Sequence, residues 1–231
     1  MLSILFEDDY YIAIHKPNGL LVHRTSIAEE KTEFALQLLR NQIKKRVYPI
    51  HRLDRPTSGV LLFAKEKSVL RTTMDLFQQK AVQKEYLAVA RGFTPDHQTI
   101  DHPIKKDNTK LHAEPKPAIT HYTTTDQIEL PIPVGRYQTA RYSLVVVKPE
   151  TGRMHQIRRH FKHISHHILG DKTYGDWRHN KMIVEQFGWT TMFLHAAKLQ
   201  FTHPLTNKEV TIDAPVDTTW QSMLKSFKWK L

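Results

Sequence analysis

The sequence predicts an α+β sheet protein, and three observations carry that reading. Short apolar runs of strand character are interspersed with segments of helical period. The intervals between them lack the regular strand–helix–strand spacing of a doubly wound sheet. No stretch repeats, and none is of low complexity.

Taken in order, residues 2–22 read as two strands, ILF and YIAIHKP, split by the acidic turn Glu7-Asp8-Asp9 and closed by Pro17-Asn18-Gly19. Thr32 is a candidate cap for a helix reaching Arg46, with Phe34, Leu38 and Ile43 as its apolar stripe and a basic end that complements the dipole. YPI then enters the polar loop HRLDRPTSG, and VLLFAK leaves it as a buried strand. A second helix is expected over residues 68–80 on Leu70, Met74 and Phe77, followed by the strand EYLAVARG. Residues 102–118 are rich in proline and lysine without period, so they read as a surface loop. Strands are expected near 119–125, 140–147, 191–201 and 208–213, and helices near 155–164, 180–187 and 217–227.

The chain has 231 residues, enough for one domain or one domain built of two lobes. Thirty-four Lys and Arg against 23 Asp and Glu give a formal charge of +11, and the isoelectric point near 9.7 suits a polyanionic partner. A merely basic protein is the competing reading, because charge speaks to partners and not to fold. Cysteine is absent, which removes disulfides, Cys-ligated zinc and thiol nucleophiles together and suits a reducing compartment. The first residues lack the positive flank and long apolar core of a signal peptide, and no window is long enough to span a membrane. A cytoplasmic enzyme or binding protein is the expectation.

Chemistry concentrates in two places. The first is His51-Arg52-Leu53-Asp54-Arg55-Pro56-Thr57-Ser58-Gly59, a turn-rich loop held between two apolar strands, where Arg52 and Arg55 flank a carboxylate with positive charge. From the residues alone Asp54 is equally a turn cap. A kinase catalytic loop is rejected, because Leu53 separates Arg from Asp and no Gly-rich phosphate loop accompanies it. The second is Thr151-Gly152-Arg153-Met154-His155-Gln156-Ile157-Arg158-Arg159-His160. On a helix, Ile157, Phe161 and Ile164 share one face, and His155, Arg158, Arg159 and Lys162 share another. That basic face is a candidate for phosphate contacts, with a solvated surface as the alternative. Arg158 borders the apolar stripe and can turn inward to a carboxylate. His160, His163, His166 and His167 invite a metal reading, but no HExxH pattern or acidic cluster completes a site. No Walker loop or GxGxxG supports a nucleotide cofactor.

These segments closely resemble the RluA family of pseudouridine synthases. HRLDRPTSG matches its catalytic motif, Lys84-Glu85-Tyr86 its tyrosine motif and TGRMHQIRRH its arginine motif, while LGDKTYG and FLHAAKLQFTHP look like two later signatures. The resemblance implies a mixed, largely antiparallel central sheet with flanking helices and an RNA cleft across its centre. It implies Asp54 as the catalytic carboxylate, Tyr86 stacking on the target base and Arg158 pairing with Asp54. Arg52 would fill the place of the flipped uridine, and Arg52, Arg55, Arg153, His155, Arg159 and Lys162 are the candidate RNA contacts. The expected protein is a single catalytic domain without a separate N-terminal RNA-binding domain, a monomer that needs neither cofactor nor metal and touches no membrane. The PAITHY run and the basic arginine motif are most similar to short members that modify the tRNA acceptor stem. The alternatives are a synthase acting on rRNA, a catalytically inert RNA-binding protein and a His-dependent metallo-nuclease.

Overall fold

The computed structural model describes residues 1–23, 33–105 and 114–231. The candidate cap Thr32 and the middle of the 102–118 segment lie outside the described residues. Two compact units divide the chain, one of residues 1–84 and 195–216 and the other of residues 85–194 and 217–231.

The first unit holds strands β1 (Ile4–Glu7), β2 (Tyr11–Lys16), β3 (Tyr48–Pro49) and β4 (Ser58–Ala64), helices α1 (Ala35–Ile43) and α2 (Lys67–Gln78), and the later strands β9 (Leu194–Thr202) and β10 (Glu209–Asp213). The acidic turn between β1 and β2 forms because Asp8 Oδ1 accepts from the amides of Tyr10 and Tyr11 at 2.8 and 2.6 Å. β2 pairs antiparallel with β1 and β4, and β9 antiparallel with β10. A parallel pairing of β4 with β9 sets Ser58 and Gly59 beside His195 and Ala196. Every residue of β4 is buried, which is why it reads as a continuous apolar run without alternation.

One face of this sheet buries Tyr11, Val60, Leu62, Leu199 and Phe201, with Leu70, Leu76 and Phe77 of α2 packed against it. Met74, expected in that stripe, is 41% exposed instead. The helix is rotated so that Val69 and Thr73 point inward, and Thr73 Oγ1 meets the Tyr11 hydroxyl at 2.6 Å. In α1 the buried positions are Ala35 and Leu39, while Leu38 and Ile43 are half-buried.

The second unit contains β5 (Gln83–Arg91), β6 (His97–Asp101), β7 (Ile119–Leu130), β8 (Ala140–Pro149), α3 (Gln156–His163), α4 (Trp177–Phe187) and α5 (Thr218–Phe227). Its strands run in the order β5-β8-β7-β6, all antiparallel. α3 lays Ile157 and Phe161 onto a core of Ala88, Tyr122, Val145 and Val147, as its apolar stripe predicts. α4 starts earlier than expected because Asp176 accepts the Arg178 amide as N-cap, and it ends at Gly188 with φ 72°. β6 has no counterpart in the sequence reading, since only Ile100 of its five residues is buried. β7 runs past 125 through a register shift between Thr124 and Asp126, which breaks the alternation that marks a strand. At the neck of the 102–118 segment, Ile104 and Lys116 exchange both backbone hydrogen bonds at 2.9 and 3.0 Å.

Candidate active site

In the first unit, three sets of bonds hold the loop that carries Asp54. Lys16, fully buried at the end of β2, donates from Nζ to the carbonyls of Pro17, Leu20 and Arg55 at 2.8, 2.9 and 3.1 Å. Arg55 and Gly19 bond reciprocally, backbone amide to carbonyl at 2.9 Å and Arg55 Nε to carbonyl at 3.0 Å, and Asn18 Nδ2 donates to the Pro56 carbonyl. The Pro17-Asn18-Gly19 turn is therefore the clamp on the loop. At the exit, Ser58 Oγ meets His195 Nδ1 at 2.8 Å and His195 Nε2 meets the Ala214 carbonyl at 3.0 Å. A carbonyl only accepts, so Nε2 carries the proton and Ser58 donates to Nδ1. Gly59 sits at φ 110° with the Ala196 carbonyl so close that a β-carbon would lie 2.1 Å from its oxygen; no other residue fits.

Within this frame Leu53 is buried, Asp54 is half-buried, and Arg52 and Arg55 are exposed. The Asp54 carbonyl accepts the Thr57 amide at 3.0 Å, closing the turn. His51 stacks on Phe77, with ring centroids 5.2 Å apart, and its Nε2 accepts the Leu62 amide at 3.1 Å. Desolvation, then the charge of Lys84, push its ring down to about 4, so it serves as a neutral acceptor.

Burial pushes Lys16 down to about 7, against the opposing pull of Asp54. Its folded value lies below its ordinary 10.5, so between these two the unfolded chain binds more protons and the burial cost falls as pH rises. Lys16→Met removes that cost but strips the donor from three carbonyls. Turnover is expected to fall at least about tenfold through loosening of the Asp54 turn, and thermal stability by about 1–3 kcal/mol near neutral pH. Thermal denaturation and single-turnover rates check this, and a wild-type rate in the variant would show that the turn holds without Lys16.

In the second unit, the arginine motif folds around Arg158. That side chain is 3% exposed, and its Nε and Nη2 grip the two oxygens of Asp171 at 2.8 Å each. Asp171 Oδ1 also accepts the amides of Thr173 and Tyr174 at 2.8 and 3.1 Å. Burial alone would push this carboxyl up, but the Arg158 fork and the two amides outweigh it and hold it below its ordinary value. The Arg158 guanidinium lies 5.0 Å from the centroid of the Tyr174 ring, and the Tyr174 hydroxyl meets His155 Nδ1 at 2.9 Å. Gln156 ties the start of α3 to the sheet, donating to the Ile119 carbonyl and Thr120 Oγ1 at 2.9 Å each while accepting from the Arg153 amide.

Arg158 thus leaves the solvent-facing stripe expected of His155, Arg158, Arg159 and Lys162, and turns inward to a carboxylate. Lys162 and Arg153 remain exposed, and His155 and Arg159 are half-buried. Arg153 and Arg159 also donate to the Pro117 and Lys105 carbonyls. Tyr86 is half-buried on β5 opposite Val147, with its ring packed on the core of this unit. The four histidines disperse: His160 Nε2, His166 Nδ1 and His167 Nδ1 meet the carbonyls of His102, Arg91 and Tyr174, and His163 stacks on His102. Among the described residues no group of three His, Cys, Asp or Glu is placed to hold a metal ion. Sequence reasoning missed Lys16, His195, Asp171 and Tyr174. The last two lie in LGDKTYG, where a lone Asp between Gly and Lys signals no buried partner.

A family model described as RNA pseudouridylate synthase matches residues 10–163. Curated relatives called tRNA pseudouridine synthase C are similar over the full chain. That of Haemophilus influenzae is 46% identical, covering 100% of this chain and 99% of its own. That of Haemophilus ducreyi is 47% identical over 99% and 96%, and that of Vibrio cholerae 41% identical over 100% and 97%. In fold the chain is similar to human RNA pseudouridylate synthase domain containing 1, with a TM-score of 0.73 at 23% identity over 99% of this chain and 95% of that one. Domain containing 4 gives 0.74 at 22%, over 99% and 94%.

Proposed function

The chain belongs to the RNA pseudouridylate synthase family and is a pseudouridine synthase, and from that premise we propose that it isomerises a uridine in the acceptor stem of tRNA with Asp54 as the catalytic carboxylate. The observation that carries the residue assignment is the clamped turn: Lys16, Asn18 and Gly19 hold the loop on one side and Ser58 with His195 on the other, so the half-buried Asp54 is presented from a fixed backbone. Reactive groups work best on such pre-organised supports.

Pseudouridine forms when the N1–C1′ bond breaks, the uracil turns while still bound, and C5 joins C1′, the C5 proton being lost while the freed N1 takes one up. Bonds broken and made balance without any electron leaving, so the reaction calls for no redox cofactor. A base inside a helix must first be flipped out, at a cost of a few kcal/mol, which stacking on Tyr86 offsets by about 1–3 kcal/mol. Asp54 then serves as an anion, whether by attack on C1′ or by removal of a sugar proton. Arg158, its plane fixed by Asp171, is the partner that orients this carboxylate. Arg52 fills the gap left in the RNA, and Arg55, Arg153, His155, Arg159 and Lys162 hold phosphates.

The names of the relatives support tRNA as substrate, and the +11 charge supports a polyanion of that kind. Among the described residues no helix is long and apolar enough to cross a membrane, and we place the enzyme in the cytoplasm as a monomer. Incubation with unmodified tRNA transcripts, followed by chemical mapping of pseudouridine, tests the substrate. Pseudouridine at one acceptor-stem position is expected; modification confined to rRNA, or to another arm of tRNA, would overturn the choice of RNA.

A further inference from the structure

Away from Tyr86, at the opposite end of β5, the second unit carries a surface of aromatic rings each covered by an arginine. Phe93, Tyr137 and Trp177 are 41%, 53% and 65% exposed, and they are the only exposed phenylalanine, tyrosine or tryptophan rings among the described large hydrophobic residues. The Arg141, Arg136 and Arg178 guanidiniums lie 5.2, 5.1 and 5.0 Å from their respective ring centroids. A single exposed ring is ordinary, but rings gathered into one contiguous exposed patch mark an interaction site.

The three pairs form one surface. Gly135 turns the β7–β8 connection at φ 61°, and a β-carbon there would sit 3.3 Å from Arg178 Cδ, so the Arg136–Tyr137 tip rests beside the start of α4. Arg91, at the end of β5, reaches Asp176 at 2.6 Å, next to Trp177, and its charge is felt at the Tyr137 hydroxyl. The Gly92 amide donates to the Arg141 carbonyl at 2.7 Å, which brings Phe93 alongside. Asp176 and Glu129 neutralise Arg91 and Arg141, whereas Arg136 and Arg178 pair with no carboxylate among the described residues. The surface is therefore aromatic with positive charge to spare.

Interleaved arginines and exposed rings suit unpaired nucleotides, whose bases stack on the rings while guanidiniums meet phosphates. Paired RNA offers no free base faces, and an acidic protein would need no rings. Tyr86 and Arg91 are five residues apart on one strand, about 17 Å, so this surface addresses nucleotides other than the flipped uridine. Resting on the tRNA reading above, we propose that the Phe93–Tyr137–Trp177 surface binds unpaired nucleotides of the substrate RNA, which in an acceptor stem are those of its single-stranded 3′ end.

Trp177 provides a direct signal, because Trp189, Trp220 and Trp229 are buried and Trp177 is the remaining tryptophan of four. Titrating the full enzyme with tRNA is expected to quench tryptophan fluorescence, and with Trp177→Phe the quench disappears while affinity is largely kept. A Trp177→Ala, Tyr137→Ala double variant is expected to lose at least about tenfold in kcat/KM on intact tRNA. The same variant should lose less than about twofold on tRNA trimmed of its unpaired 3′ nucleotides. An unquenched Trp177 on saturation with tRNA, or an equal loss on intact and trimmed tRNA, overturns the proposal. Absence of pseudouridine with the wild-type protein would instead strike the choice of substrate, and the fluorescence titration would still report on the surface.

Discussion

Asp54→Asn is expected to lower the single-turnover rate of pseudouridine formation by roughly three orders of magnitude or more, while thermal stability and RNA affinity stay close to wild type. The amide keeps the shape of the side chain but serves neither as nucleophile nor as base. The turn itself uses the Asp54 carbonyl, which accepts from Thr57, and the surrounding bonds run through Lys16, Asn18, Arg55 and Ser58. None of these bonds uses the Asp54 carboxylate, so loss of activity in a folded, RNA-binding variant points to that group. Pseudouridine accumulating at a tenth of the wild-type rate would show that another group performs the reaction.

The readability of this site from sequence followed the physics of each residue. The Asp54 loop was readable because its polarity contrasts with the apolar run of β4, and α3 because Ile157 and Phe161 recur at helical spacing. Lys16 was not, since a lysine closing a strand ordinarily points to solvent, and only the folded turn shows three carbonyls gathered around its ammonium. The histidine run misleads for the opposite reason: spacing on a helix suggests shared ligation, yet the imidazoles turn to carbonyls on different elements. β6 and the extension of β7 escaped because edge position and a bulge erase alternation. Exposed Phe93, Tyr137 and Trp177 are far apart in sequence, and the pairing of β7 with β8 brings the tip between them into register with the end of β5.

Arg158 and Asp171 carry the second large expectation. Arg158→Lys keeps the charge but offers a point ammonium where a planar fork bridges both carboxylate oxygens, so turnover is expected to fall at least about a hundredfold. Arg159→Lys should cost much less, because Arg159 is half-buried and gives Nη1 to the Lys105 carbonyl, a bond that an ammonium can also make. Equal rates for Arg158→Lys and wild type would redirect the assignment to Arg153. Asp171→Asn separates orientation from charge: it leaves the buried guanidinium without this counter-charge and should cost about 3 kcal/mol of stability. The pH dependence follows in sign. Since the Asp171 carboxyl is held below its ordinary value of 3.8, the unfolded chain binds its proton first as pH falls. The stabilisation is full above that value and is lost progressively below it, as pH approaches the folded-state value. Wild-type thermal midpoints should therefore drop faster than those of Asp171→Asn as pH falls below about 4, and parallel curves would mean that the fork contributes nothing that depends on the charge of Asp171.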